Sequence, residues 1–297
     1  PQLSADIRSS IGKVALGNLS AGSSDVHIVA AVTTKDIKIS RFDAALKDLL
    51  FDVAEGKSQS FDNVTLKGKA GLALGRTTMV LNSLEARLPG IAPLFLEGRY
   101  GLGKTQAAEV RLESRGQDIP ALRALAAPFL PESLAGWDLG GTVNLSLEVS
   151  RPSAAGVDWG FSGTLSLTQA RLNDPTFTIA GEGLDPVLKI EGEYAASKDL
   201  SFRGALDIGQ GESLWKAIYV SWSKHPLKLT ASGLYHLGSG AMDGLAALFL
   251  FPTIGEVGLS GSIITRPSLS FDLRSDARLS LGPLYSLYAQ AGVSEEN

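Results

Sequence analysis

The sequence predicts a mostly β protein: a long, curved, largely antiparallel sheet forming an open, taco-like groove, with a few short apolar helices. Three observations lead there. Apolar and polar residues alternate with a period of two along most of the chain, and glycine recurs at one parity inside those runs. The mean hydropathy is positive, at +0.12 with 44% apolar residues, although no run is long enough to cross a membrane as a helix. Successive strand side chains point to opposite faces, so a period-two run has one apolar and one wetted face. That is the antiparallel pattern; buried parallel strands are apolar throughout. The positive hydropathy implies either a large core or an apolar surface that something else covers.

From the N-terminus, Pro1-Gln2-Leu3-Ser4 has neither an initiator Met nor the basic and apolar regions of a signal peptide, so a processed chain or a segment of a longer one is expected. Arg41–Val53 sets Phe42, Leu46, Leu49, Leu50 and Val53 on one stripe with Gly56 beyond, which predicts a helix. Strands follow at Val64–Leu74, Leu94–Tyr100 and Val110–Arg115. Asp118–Leu130 predicts a second helix, with Asp118 as its cap, Pro120 in the first turn, an apolar series Leu122, Leu125, Ala126, Phe129, and Pro128 ending or kinking it. Strands then come at Gly141–Val149, Phe161–Leu167, Leu188–Tyr194, Phe202–Ile208, Leu227–Tyr235, Val257–Ile263 and Leu269–Leu273. Between them, Ser150–Asp158 is small, polar and turn-prone, and suggests segments 1–150 and 151–297, or one sheet running through. Asp243–Phe251 and Leu284–Ala291 read as short apolar helices. With Pro252 and Ile254-Gly255 before the next strand, Asp243–Phe251 repeats the plan of Asp118–Leu130, Pro131 and the Gly140–Val149 strand.

The glycines are ordered. Leu96–Tyr100, Ile190–Tyr194 and Ala231–Tyr235 share apolar-x-Gly-x-Tyr, and Gly68, Gly163, Gly204 and Gly261 sit likewise mid-strand on the apolar parity. Glycine within a strand costs stability, so its recurrence signals bending, a bulge or the close approach of another group.

Several chemistries are excluded. With 27 Lys and Arg against 31 Asp and Glu there is no basic footprint for nucleic acid. The absence of Cys removes disulfides, thiolate catalysis and zinc–thiolate sites, and fits an oxidising compartment. Gly98–Thr105 satisfies G-x-x-x-x-G-K-T, but that phosphate loop must open a helix whose N-terminus faces the anion. Here Ala108, Val110 and Leu112 alternate with Glu109, Arg111 and Glu113, which predicts a second strand and a hairpin turn at Gly101–Lys104. His27, His225 and His236 lie at no zinc-ligand spacing, and His236 falls with Ser232 on a polar face as a solvated imidazole. No G-x-S-x-G elbow occurs, and carboxylates such as Glu191 and Glu193 lie on wetted strand faces. No enzyme, metal or cofactor is therefore expected. Nor is a transmembrane barrel: aromatics are 7%, Trp137, Trp159, Trp215 and Trp222 form no girdle, and the chain ends in Ser294–Asn297.

Asp118–Leu122 through Phe129-Leu130-Pro131, Gly136 and the Gly141–Val149 strand resembles the AsmA-like family, whose relatives include TamB-type and other repeating β-groove, bridge-like lipid-transfer proteins. Ala180–Leu184, Leu206–Gly209, Ala217–Ser221 and Ala231–Tyr235 are similar to that family's C-terminal region, and the resemblance spans roughly residues 60–290. It implies a periplasmic protein anchored to the inner membrane through a segment absent here, with a groove carrying lipids between inner and outer membranes of the bacterial envelope. Implied partners are a phospholipid or other acyl-chain ligand and envelope proteins outside this segment.

The alternating pattern assigns the groove lining to Val143, Leu145, Leu147, Leu165, Leu167, Leu188, Ile190, Leu206, Ile208, Leu227, Leu229, Phe271 and Leu273. The same residues would serve as plain core in a β-sandwich, the alternative fold. Lipid binding and transport is thus the expected function, and a non-enzymatic structural or assembly module of an envelope complex the alternative.

Overall fold

A computed structural model describes residues 3–16, 19–53, 57–73, 78–102, 107–127, 130, 136–151, 158–195, 197–216, 218–265 and 268–282. The protein is mostly β, and its described residues form an open antiparallel sheet with a short helix. Within each unit the described strands pair side by side in that sheet rather than splitting into two facing sheets, the sandwich alternative. The chain divides into two compact units, Pro1–Pro131 with Leu145–Ser153, and Glu132–Asn144 with Ala154–Asn297.

The first unit is a meander with one inserted hairpin. It contains β1 (Leu3–Ile11), β2 (Val14–Leu16), β3 (Leu19–Ala21), β4 (Ser23–Val32), β5 (Asp36–Val53), β6 (Lys57–Ala73), β7 (Thr78–Arg87), β8 (Leu94–Gly101) and β9 (Ala108–Asp118). Strand β1 pairs with β4, the β2–β3 hairpin lies beside the far end of β5, and from β4 to β9 each strand pairs with the next. Helix α1 (Ile119–Ala126) leaves β9 where the sequence places it: the Asp118 carboxylate accepts from Ala121 N at 3.1 Å and proline occupies the first turn. Strand β10 (Asp138–Arg151) has its C-terminal half in this unit, where Glu148 meets Arg111 of β9.

Arg41–Val53 is strand β5, not a helix. Phe42, Ala44 and Leu46 also alternate, and they find partners on both sides, in rows such as Ile28–Phe42–Gly68 and Val26–Ala44–Leu66. Two flanking strands satisfy both the backbone and the apolar face, which a lone helical stripe could not.

The second unit contains the N-terminal half of β10, then β11 (Trp159–Asn173), β12 (Ile179–Leu184), β13 (Pro186–Tyr194), β14 (Asp199–Ile208), β15 (Glu212–Trp215), β16 (Ile218–Ser221), β17 (Leu227–His236), β18 (Ala241–Phe251), β19 (Gly255–Ile264) and β20 (Ser270–Leu279). Strands β12 and β13 run in succession along β11; β14 and β15 then pair with β13 and β12, and β17 and β16 with β14 and β15. From β17 to β20 the hairpins are simple.

Asp243–Phe251, expected as a helix, belongs to strand β18, and the helix–proline–strand repeat fails with it: Pro252 sits in the β18–β19 turn, closed by Ile254 N donating to Phe251 O at 2.9 Å. Its Leu245, Ala247 and Phe249 face one side and Ala246, Leu248 and Leu250 the other, so no alternation is visible. Strand β8 leads by a hairpin to β9, with Gly101 N donating to Ala107 O at 2.8 Å and Tyr100 opposite Ala108, so the helix a phosphate loop requires is absent there. Gly56, Pro128, Phe129, residues 131–135, most of the Ser150–Asp158 linker, Lys104 and Leu284–Ala291 lie outside the described residues.

Strand breaks line up. Gln169 (φ 51°) bulges from β11 beside Gly141 (φ 98°) of β10, whose absent Cβ would lie 2.7 Å from Gln169 O. Asp185, between β12 and β13, accepts from Gln169 N at 2.6 Å. Gly211 (φ 93°), between β14 and β15, leaves room for Gly183 O, which its Cβ would meet at 2.6 Å. Trp222 N, after β16, donates to Gly211 O at 2.9 Å. Five neighbouring strand lines are thus interrupted at one level, a crease that bends the sheet across its strands. In the first unit, bulges at Ser40 of β5 and near Asn82 of β7 do the same.

Candidate functional site: an uncovered aliphatic face

Cross-strand register sorts the second unit's side chains into rows on one face. Leu165, Leu188, Leu206, Leu229, Phe249, Val257 and Ala277 form one row across six pairings. Beside it runs Gly163, Ile190, Gly204, Ala231, Ala247, Leu259 and Ser275, and then Phe161, Gly192, Phe202, Gly233, Leu245, Gly261 and Leu273. Ile208, Leu227 and Phe251 continue the face on one side, Tyr194, Leu200, Tyr235, Met242, Ile263 and Phe271 on the other.

The predicted lining residues Leu165, Leu188, Ile190, Leu206, Ile208, Leu227, Leu229, Phe271 and Leu273 therefore share one face, and Leu167 falls on it by alternation along β11. Val143, in the same unit on β10, is buried. Leu145 and Leu147 belong to the first unit.

The second unit's mid-strand glycines lie on this same face, and three of them have a visible cause: Gly261 holds φ 150°, where a Cβ would collide with Asp272 O, and the other two make room for rings. A Cβ on Gly192 would stand 2.5 Å from the ring of Phe161, and one on Gly233 would stand 3.2 Å from Phe202. Each phenyl ring lies across the glycine of the neighbouring strand, which needs that bare backbone and shields it from water.

The first unit carries a comparable face that sequence reasoning did not propose as lining. Ile7, Ile28, Phe42, Gly68, Leu84, Leu96 and Leu112 form one row, and Leu3, Val32, Ile37, Leu72, Met79, Tyr100 and Ala108 another. Phe249 and Phe251 were hidden in the run that reads as a helix, and Phe161 and Phe202 needed the register to show their pairing.

Little covers these faces. Among the described residues the buried apolar side chains are only Ala21, Ala44, Val64, Val143, Ala170 and Ile254. Ile190 is 40% exposed, Leu273 39% and Phe271 68%. The leucine and isoleucine side chains of these rows are ordered by strand pairing and range from half-buried to exposed.

Apart from β18, the opposite face is largely polar and ion-paired. Arg203 meets Glu191 at 3.5 Å, Lys228 meets Asp207 at 3.9 Å, and Arg278 meets Glu256 at 3.2 Å. In the first unit Arg111 donates to Glu148 at 2.8 Å, and that bond raises the arginine's already high pKa. Such exposed pairs are screened by water and contribute little to stability; they mark the wetted side. His236 lies on this face, as expected, but it is held rather than free: Nδ1 lies 2.7 Å from Asp199 Oδ1 and Nε2 3.2 Å from Asp243 Oδ2. His27 is placed alike, 2.9 Å from Asp6 and 4.0 Å from Asp43.

No protein-family model, curated protein or solved structure matches this chain. Among the described residues no three His, Cys, Asp or Glu side chains are grouped to hold a metal ion, and no helix is long and apolar enough to cross a membrane. What the face offers is a broad aliphatic surface with few directional groups, suited to a partner that is itself aliphatic.

Proposed function

We propose that the aliphatic faces bind lipid acyl chains, and that the protein carries lipids between the membranes of a bacterial envelope from a periplasmic position. The observation that carries the reading is the register of the second unit, which puts Leu165, Leu188, Leu206, Leu229, Phe249 and Val257 in one unbroken row without a second layer over it. Each methylene moved from water onto such a surface contributes about 0.8 kcal/mol, so an acyl chain binds there without specific polar contacts. The direction of transport and its periplasmic setting rest on the resemblance to AsmA-like proteins; the absence of cysteine agrees with them.

Protein purified without detergent should carry phospholipid, detected by mass spectrometry after organic extraction. Ile190→Glu in the second unit and Leu145→Glu in the first should each lower the lipid carried per protein while circular dichroism still reports the sheet. Lipid-free native protein, or variants that carry as much lipid as the parent, would sink the proposal.

A further inference from the structure

The aliphatic face ends, at one edge of the second unit, in a hairpin tip of unusual composition. Ile179, Trp215 and Ile218 are cross-strand partners on β12, β15 and β16, and Phe177 lies in the turn just before β12. The bulges at Gln169 and Gly183 keep Ile179 on the same side as Leu188, so this row continues the aliphatic face. Trp215 is 67% exposed, Phe177 66% and Ile218 58%, although all three are among the side chains most costly to leave in water.

The tip is also cross-braced by its own hydrogen bonds. The Asp174 carboxylate accepts from Ile179 N at 2.7 Å, from Thr178 Oγ1 at 3.0 Å, and from the backbone and hydroxyl of Thr176. These bonds, led by that from Ile179 N, hold the carboxyl at a pKa of about 2. Phe177 N donates to Asp174 O at 3.0 Å, and Lys216 N to Thr178 O at 2.6 Å, tying the two hairpins together. Phe177 and Lys216 both hold positive φ, 53° and 55°. A bulky residue adopts that conformation only where its surroundings impose it.

We infer that this tip is a membrane contact: Phe177, Trp215 and Ile218 enter the interface of a phospholipid bilayer, with the Lys216 ammonium at headgroup level. The chemistry selects a bilayer over a protein. A protein interface is oriented by outward donors and acceptors, and here the turn's own are spent within it. Backbone entering a bilayer must already be hydrogen-bonded, and here the N–H groups of Thr176, Phe177, Ile179 and Lys216 are. Tryptophan, beside a cation, is the side chain enriched at the membrane–water boundary. The inference rests on the acyl-chain reading of the face, since it gives the bound chain a route from bilayer to sheet.

The test is flotation of the whole chain with vesicles of phosphatidylcholine containing phosphatidylglycerol, alongside loading with a soluble fluorescent fatty acid. Phe177→Asn keeps a residue that tolerates positive φ, so the turn persists; combined with Trp215→Ser it should lower vesicle partition roughly tenfold. Trp215→Phe should still float but lose the emission that brominated phospholipid quenches in the parent. Ile190→Glu should float normally and fail to load fatty acid, which separates failure of the tip from failure of the face. Equal flotation of the parent and the double variant, or no flotation of the parent, overturns the inference.

Discussion

At the scale of single residues, the polar face is where titration acts. His236 closes a bridge between the start of β14 and the bulged segment of β18, donating to Asp199 and, when protonated, to Asp243 as well. The hydrogen bond to Asp199 raises the histidine's pKa from 6.5, and the same bond, with one from Ser197, lowers that of Asp199 from 3.8. The histidine's contribution to stability is full below about pH 6.5 and is lost as pH rises through its raised folded value. The aspartate's is present above about pH 4 and is lost as pH falls through its lowered value. The bridge is therefore strongest between those limits. The melting temperature of the parent should fall more between pH 5.5 and pH 8.5 than that of His236→Gln. Parallel pH profiles for the two proteins would show that the bridge contributes nothing. Sequence placed His236 on the correct face, because alternation along one strand is local, but it could not show the carboxylates that two other strands bring to it.

At the scale of elements, alternation located most strands, and it failed where both parities are apolar or where a helical stripe coincides with a strand. β18 is the first case and β5 the second: each is decided by the neighbours that pair with it, which no single segment contains. Helix α1 was legible because its signals are local, a capping aspartate and a first-turn proline. The glycine pattern was legible as a pattern, but its causes divide. Gly192 and Gly233 accept a phenyl ring from the next strand, whereas Gly261 holds a positive φ that brings its backbone against Asp272; Gly183 and Gly211, outside that pattern, serve the crease. Gly204, on the same face, has only Lys189 O, at 3.7 Å, near a new Cβ. Gly192→Ala should accordingly cost about 1–3 kcal/mol through collision with Phe161 and Ser201, and Gly204→Ala should be neutral or mildly stabilising. Urea midpoints of the two variants measure the difference; equal effects would mean that the ring–glycine packing does not constrain the strand.

At the scale of the whole chain, the apolar side chains behind the positive hydropathy lie, among the described residues, on half-buried or exposed sheet faces, and few of them are buried. A closed core and an open face use the same leucines and isoleucines, which is why the sequence pattern left both available; strand register and exposure separate them. The difference has a measurable consequence at Ile190. A charge forced into a packed interior without a partner costs several kcal/mol and often prevents folding. On a face that is already 40% exposed, a glutamate keeps its water and loses mainly strand propensity and a few aliphatic contacts. Ile190→Glu should therefore destabilise the lipid-stripped protein by less than about 2 kcal/mol in urea titration. It should also reduce self-association of that protein in light scattering, because the face left bare by lipid removal is the surface through which copies would adhere. A loss above about 4 kcal/mol would mean that another layer packs on the isoleucine, and the open-face account would fall with it.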